Sequence, residues 1–484
     1  MSRLRTASLS GTKALYLLGG LLVLALVALL CPRAGAQAEE SAASQPERPN
    51  MVFVLTDDMA TGDLEHMPKT RRLLADRGAS FENAFVTYSL CCPSRATLLR
   101  GQYPHNHRVF NNSAPYGGAP RFRELGRDDS TVATWLDDAG YTTAFVGKYM
   151  NAYGLQGDTY VPPGWDRWNA FMGAFHANPK MNNNGRAQRM PENTILDSVV
   201  SNKASFYARN LEGPFYLQVS THAPHGPHRY PADLADDFEG LRAPRAPSFN
   251  EADVSDKPEW IRSQDRLSPR KVRSIDNGYR ERIRSLQTVD AMVGDLVGEL
   301  RERRILNDTY FVFMSDNGWH YGEHRREGGK WTPYEEALRV PLLVRGPGVP
   351  EGASREQLVL NNDLAPTFAE LAGATSPNFV DGRSIQPLLA GTPPDSWRSA
   401  FLFESWRLPP NGSPAPTYQG VRTRHYSHTR YSTEERELYN LKRDPHQMNS
   451  IHDTPNRRLV GSLERRLSAL EDCRGAGCRR AEGE

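Results

Sequence analysis

Met51-Val52-Phe53-Val54-Leu55-Thr56-Asp57-Asp58 sets how the rest of this 484-residue chain is read. A short unbroken apolar run that ends in polar residues is the pattern of a strand buried on both faces, delivering its polar groups at its C-terminal tip. The pattern recurs at 141–146, ending in Gly147-Lys148, and at 215–219, ending in Ser220-Thr221-His222. It recurs again at 310–314, ending in Ser315-Asp316-Asn317, and a further strand is predicted at 340–344. Helical patterns fall between these runs, at 68–78, at 131–139 and, capped by Asp363, at 363–372. From Tyr279, apolar residues at Ile283, Leu286, Val289, Val293, Leu296 and Leu300 mark an amphipathic helix. Strands alternating with helices predict an α/β fold with a mostly parallel sheet sandwiched by helices. Open sheets of that kind bind ligands beyond their strand C-termini, which is where the polar tips fall.

Outward from this frame the character changes. The proline-rich stretch 241–273 has no clear period and is read as a long surface insertion near the site mouth. Beyond residue 385, short strands at 400–403, 420–423 and 425–431 precede a helix marked by Leu459, Val460, Leu463, Leu467 and Leu470. They predict a smaller antiparallel sheet with a C-terminal helix. The length exceeds what one core usually supports, so two unequal domains are expected, 50–384 and 385–484.

The first 36 residues have the order of a secretory signal. Arg3, Arg5 and Lys13 precede an apolar run at 14–30, and Ala34-Gly35-Ala36 closes it. The alternative is a membrane anchor, since 17 apolar residues sit at the lower limit for a span. The signal reading, followed by a linker at 37–49, predicts an exported protein with no other membrane segment. Removing 1–36 takes away four basic residues and no acidic one, leaving 55 against 57 and a net charge of −2. No basic excess remains to argue for a nucleic-acid partner. Cys473 and Cys478 suit a small disulfide loop in an oxidising compartment. Adjacent Cys91 and Cys92 do not, because neighbouring side chains diverge from one stretch of backbone.

Asp57 and Asp58 repel one another unless a cation sits between them. An isolated Asp-Asp pair is more often a solvated turn. Asp316-Asn317 at a second strand tip changes that balance. Three carboxylates and an amide oxygen are hard ligands that suit calcium or magnesium, and no histidine or thiolate cluster has zinc spacing. His105, His107, His320 and His324 are further candidates for lining a pocket. Lone lysines and histidines are normally solvated, and the remaining candidates gain weight only as an ordered set.

That set begins at Ser89-Leu90-Cys91-Cys92-Pro93-Ser94-Arg95-Ala96-Thr97-Leu98-Leu99-Arg100-Gly101. Its Cys-x-Pro-Ser-Arg run followed by x-x-x-Leu-x-Gly resembles the signature of type I sulfatases, in which the cysteine is oxidised to formylglycine during export. Gly147-Lys148-Tyr149, Ala223-Pro224-His225-Gly226-Pro227, Ser315-Asp316-Asn317-Gly318, and Lys330 ahead of Tyr334-Glu335 and Arg339-Val340-Pro341 resemble other segments of that family, in order. Glu437-Leu438-Tyr439-Asn440-Leu441 with Asp444-Pro445 resembles its C-terminal segment. The doubled cysteine and Tyr103-Pro104-His105-Asn106-His107 look most like the N-acetylglucosamine-6-sulfatase branch.

The resemblance implies an alkaline-phosphatase-like fold and a sulfuric ester hydrolase acting on a sulfated sugar or an aryl sulfate. It implies one calcium ion held by Asp57, Asp58, Cys91, Asp316 and Asn317, and maturation of Cys91 by a formylglycine-generating enzyme. A hydrated formylglycine oxygen would attack sulfur. Arg95 would steady it, Lys148 and Lys330 would offset sulfate charge, and Lys330 or His225 would protonate the leaving alcohol. One position departs from the pattern: many sulfatases carry a histidine two residues after the first lysine, where this chain has Met150. Two other readings share part of this evidence. A phosphomonoesterase or phosphodiesterase of the same superfamily would place serine or threonine at 91. A non-catalytic binder of sulfated glycans would have lost Cys91 or a ligand.

Overall fold

The computed structural model describes residues 48–173, 178–409, 412–453 and 456–483. The signal segment and most of the linker lie outside them. Among the described residues no helix is long and apolar enough to cross a membrane.

Ten strands make one sheet, in the order Ala353–Arg355, Ala79–Phe81, Leu342–Arg345, Thr309–Ser315, Asn50–Thr56, Phe215–Ser220, Thr142–Gly147, Arg167–Phe171, Lys180–Asn183, Arg186–Arg189. The five from Thr309–Ser315 to Arg167–Phe171 are all parallel to their neighbours. Antiparallel strands flank them, Leu342–Arg345 on one side and Lys180–Asn183 with Arg186–Arg189 on the other.

The opening run behaves as its pattern requires. Alternate side chains of a strand point to opposite faces, and here Met51, Phe53 and Leu55 enter one hydrophobic cluster while Val52 and Val54 enter the other. Thr309–Ser315 divides the same way, with Tyr310, Val312 and Met314 against Phe311 and Phe313. Each fully buried side chain of this size contributes roughly 1.5–3 kcal/mol. Helices Leu196–Asn210 and Pro269–Glu302 cover one face, and Cys91–Arg100, Val132–Asp138 and Leu364–Leu371 cover the other.

Register then sets the site. Thr56 pairs with Ser315, Leu55 with Ser220, and Gly147 with Ser220 from the far side. The parallel strands therefore end level, and Asp57-Asp58, Asp316-Asn317, Thr221-His222 and Lys148 emerge along one edge.

Two sequence expectations need correction. The long helix begins at Pro269, ten residues before Tyr279, with Ser268 accepting from the Lys271 amide at its N-terminus. Its first turns face solvent with basic side chains, so they carry no apolar period, although serine then proline is a helix start signal. Asp363 precedes the helix Leu364–Leu371 but does not cap it. Its carboxylate instead accepts from the amides of Leu360 and Arg383, at 2.8 and 2.9 Å, and from Arg398. The strands from Arg167 onward were not legible: Arg167–Phe171 is buried after its first residue but mixes polar with apolar residues, and Lys180–Asn183 and Arg186–Arg189 are short and polar, the last exposed throughout.

Ala400–Ser405, Tyr418–Thr423, Tyr426–Tyr431 and Arg436–Asn440 form the small antiparallel sheet, and helix Arg457–Glu471 buries Leu463, Leu467 and Leu470. Cys473 and Cys478 form a disulfide. This region is tied to the larger sheet by buried charge. Arg398 donates to both oxygens of Asp363, at 2.5 and 2.7 Å, and to Glu482 at 2.7 Å, with all three side chains fully buried. His105 is held between Glu404, 2.9 Å from its Nδ1, and the carbonyl of Cys473, 3.0 Å from its Nε2. Burial opposes its protonation, but two acceptors on two ring nitrogens prevail, and the imidazole is pushed up to about 9.

Removing one partner of a buried ion cluster strands the others, so Arg398→Met is expected to cost roughly 3–5 kcal/mol in chemical denaturation; a loss under about 1 kcal/mol would mean the carboxylates find other partners. His105 gives a pH signature. Its folded pKa lies above the unfolded value near 6.5, so its stabilisation is complete below about pH 6.5 and is lost as pH rises through about 9. The wild type should therefore lose on the order of 3 kcal/mol relative to His105→Gln between pH 6 and 10; parallel profiles for the two proteins would remove the imidazolium from the account.

Candidate active site

The helix Cys91–Arg100 begins at the strand edge with every residue buried, and Gly101, at φ 65°, ends it in a left-handed turn that glycine adopts without strain. Cys91 and Arg95 are four apart and so share a helix face. From that face Cys91 Sγ lies 3.3 Å from Asp57 Oδ1 and 3.9 Å from Asp58 Oδ1. Arg95 Nε donates to Asp316 Oδ2 at 2.8 Å, and its Nη1 donates to the Lys148 carbonyl at 2.6 Å. Arg95 thus fixes two strand tips against each other, and its buried Nη2 has no hydrogen-bond partner.

One ligand atom from each of Asp57, Asp58, Cys91 and Asp316 lies within 4.8 Å of the other three. Asn317 joins them by donating Nδ2 to Asp58 Oδ1 at 2.8 Å. That leaves Asn317 Oδ1 and Asp58 Oδ2 as buried oxygens without a hydrogen-bond partner. Unsatisfied buried oxygens are costly unless something positive reaches them, so the donor set fits a hard cation.

Basic groups surround the carboxylates. Lys148 Nζ pairs with Asp57 Oδ2, and Lys330 Nζ pairs with Asp58 Oδ1 while standing 2.7 Å from Cys91 Sγ. His225 gives its Nδ1 to the Gly226 carbonyl at 2.5 Å and places Nε2 3.8 Å from Asp58 Oδ2. It is the member of the set most open to solvent, its side chain one-third exposed. Burial alone would raise both aspartates, but Lys148 holds Asp57 well below the usual carboxylate range and Lys330 lowers Asp58. Asp316 goes the other way, raised by burial and by the charge of Asp57. Burial and then Asp57 push the Cys91 thiol far up, so the unmodified side chain is a neutral thiol. All nine residues singled out in the sequence therefore meet at one point.

The other candidates do not. His107 faces Thr97 at 3.0 Å, His320 faces Thr332 at 2.7 Å, His324 faces Glu251 at 2.8 Å, and His105 belongs to the contact with Glu404. Met150 is packed in the hydrophobic core.

Four residues that support the site, Arg282, Tyr321, Asp63 and Asp197, were not found in the sequence. Asp58 adopts φ 71°, an unfavourable left-handed conformation for a non-glycine residue. Arg282 donates from Nη2 to the Asp58 carbonyl and from Nε to Tyr321 Oη at 2.9 Å, and Tyr321 Oη in turn reaches Asp63 Oδ2 at 2.8 Å. A signal was present: position 282 falls on the apolar stripe of the long helix, three after Tyr279 and four before Leu286, where an arginine breaks the pattern. Asp197 gives a second kind of support, accepting from the amides of His222 and Ala223 at 2.7 and 3.0 Å and so setting the loop that carries His225.

Comparison with known proteins agrees with this geometry. The sulfatase family profile matches residues 49–374, and that of the N-sulphoglucosamine sulphohydrolase C-terminal region matches 322–472. N-acetylglucosamine-6-sulfatase of Capra hircus is 34% identical over 490 residues, covering 92% of this chain and 87% of that protein. A structure solved in complex with its substrate D-glucosamine-2-N,6-O-disulfate shares the fold, with a TM-score of 0.71 at 23% identity over 90% of this chain and 100% of that one. The phosphonate monoester hydrolase of Agrobacterium radiobacter shares it too, with a TM-score of 0.69 at 20% identity over 87% and 95%. The fold alone therefore does not separate sulfur from phosphorus chemistry, and the family match together with the relative's identity does. The chain belongs to the sulfatase family, on its N-acetylglucosamine-6-sulfatase and arylsulfatase branch, and is a sulfuric ester hydrolase.

Proposed function

We propose that the enzyme cleaves the sulfate monoester of a sulfated sugar, of the N-acetylglucosamine 6-sulfate kind, or of an aryl sulfate, using Cys91 in its formylglycine form and one calcium ion. The observation that carries this reading is the gathering of Asp57, Asp58, Cys91 and Asp316 within 4.8 Å, with Lys148 and Lys330 against them. The name of the Capra hircus relative supports the sugar.

Asp57, Asp58, Asp316, Asn317 and residue 91 would hold the calcium, all through hard oxygen once Cys91 is oxidised, which is the donor chemistry this ion takes. The bound ion and the hydrated aldehyde would together supply an oxygen nucleophile for sulfur and a positive charge beside the sulfate. The chain's own residues do the rest. Lys148 and Lys330 bring ammonium groups to where sulfate charge shifts in the transition state. Arg95 holds Asp316 and the Lys148 tip in register and leaves one donor, Nη2, for residue 91 or the substrate. His225, with Nε2 directed at the site and its side chain partly open to solvent, protonates the leaving alcohol.

Beside it lies a cavity of about 260 Å³ lined by Gly226, His228, Tyr279, Arg282, Trp319 and Gly328, which is where a sugar ring would sit. The disulfide and the N-terminal sequence support export, with 50–384 as the catalytic part and 385–484 as a subdomain.

Two measurements test this. Cys91→Ala should lower sulfate release by at least about 10³-fold at an unchanged melting temperature, as expected for loss of a nucleophile, and in the native peptide position 91 should react with an aldehyde probe and resist thiol alkylation while the neighbouring Cys92 is alkylated. Turnover retained in the variant, or alkylation at position 91 itself in fully active enzyme, would move the nucleophile elsewhere. Calcium added to metal-stripped protein at 100 times its Kd should stabilise the fold by about 2.7 kcal/mol, and Asp58→Asn should abolish the gain. Full turnover in stripped protein would remove the ion from the reading.

A further inference from the structure

Across the long helix from the sulfate site lies a second cavity, of about 1170 Å³. Five arginines line it, Arg242, Arg245, Arg273, Arg280 and Arg284, against two carboxylates, Glu239 and Asp276. Surface arginines are usually mobile and solvated, but three of these are fixed. Arg245 forms a two-pronged pair with Asp276, at 2.6 and 2.8 Å, and also donates to the Ala243 carbonyl. Arg280 donates to the Leu241 carbonyl at 2.9 Å. Arg284, itself buried, donates to the Asp237 carbonyl and to Glu281. Arg242 and Arg273 are exposed and have no ion-pair partner among the described residues.

The charge is concentrated here. The lining's five arginines against two carboxylates give a local +3, while the whole chain carries only +2. The rest of the chain is therefore net negative, and the cleft is a local positive field.

The helix places this field beside the chemistry. Arg273, Asp276, Arg280 and Arg284 follow one another at helical spacing and face the cleft. Ser274, Gly278, Tyr279 and Arg282 of the same turns line the 260 Å³ cavity, with His228 and Gly328 opposite. One helix, roughly 10 Å across, separates the two, a span that a short oligosaccharide can cross.

We infer that this cleft is an exosite for a sulfated polysaccharide, holding units of the polymer beyond the one whose ester is cut. The inference rests on the sulfated-sugar reading above and deepens it. Guanidinium groups match the paired oxygens of a sulfate as they match those of carboxylate and phosphate. None of the thirteen residues lining the cleft is aromatic, so it offers no platform for stacking nucleobases. It offers no continuous apolar surface for lipid either. A linear polyanion whose charges are sulfates meets the remaining requirements.

The test uses the full chain as Cys91→Ala, so that binding is read without turnover, with and without the double substitution Arg242→Glu and Arg273→Glu. The probes are heparin, hyaluronan as an unsulfated polyanion, and duplex DNA. Heparin affinity is expected to fall steeply with added salt and to drop at least about tenfold in the double variant, with hyaluronan weaker by a similar factor. With Cys91 intact, the double variant should hydrolyse a small aryl sulfate normally while its KM for a sulfated polymer rises. Heparin binding that ignores the two arginines overturns the exosite, and so does DNA binding as tight as heparin binding. A chain that binds heparin through these arginines yet releases sulfate from no ester keeps the exosite and sinks the hydrolytic reading instead.

Discussion

Three carboxylates brought together inside a protein repel one another, and the site is organised around containing that repulsion. Asp57, Asp58 and Asp316 have no access to bulk water, so their charge has to be met locally. Lys148, Lys330 and Arg95 meet it in the structure, each through its own carboxylate oxygen. The same three cations are the groups best placed to receive an anionic substrate. In the proposed reaction, what keeps the fold together at this edge would also be what attracts the sulfate. The level ends of the parallel strands make the arrangement possible, because they deliver residues more than 250 apart in sequence to one point.

A second layer keeps the first from relaxing. Asp58 in a left-handed backbone conformation would return to an ordinary one if released. Arg282 holds its carbonyl, and Tyr321 and Asp63 hold Arg282. Asp63 is pushed up to about 6 by burial, and it remains tied to Tyr321 and to the Ala60 amide. The long helix thus serves the site twice. Its buried face supplies this brace, and its exposed face carries the arginine cleft.

Much of this was legible in the sequence, for a physical reason. Buried parallel strands must be apolar throughout, so runs such as 51–55 and 310–314 announce themselves, and the polar residues just after them can only lie at the sheet's ligand edge. Cys91 and its neighbours were legible because their order matches a known signature. The strands from Arg167 to Arg189 and the first turns of the helix at Pro269 were not, since polar residues interrupt the mostly buried Arg167–Phe171 and the others are short and polar or turned to solvent. Nor was the use of Asp363, whose partner Arg398 lies 35 residues away and is invisible to any local rule. The histidines at 105, 107, 320 and 324 illustrate the converse: residue type alone nominated them, and packing gave them structural work.

Glu482 carries a consequence in time. It is buried under Arg398, Arg383 and the Tyr103 hydroxyl, far along the sequence from the helix that bears Cys91. Tyr103, just past that helix, gains this partner only once residue 482 has been synthesised, and Cys91 itself is closed over only after Asp316 and Lys330 have been made and have docked against it. Cys91 is inaccessible once it is enclosed, so any second protein that alters this side chain has to act on the nascent or unfolded chain. The interval between translation of Cys91 and docking of Lys330 is the window during which residue 91 can still be reached.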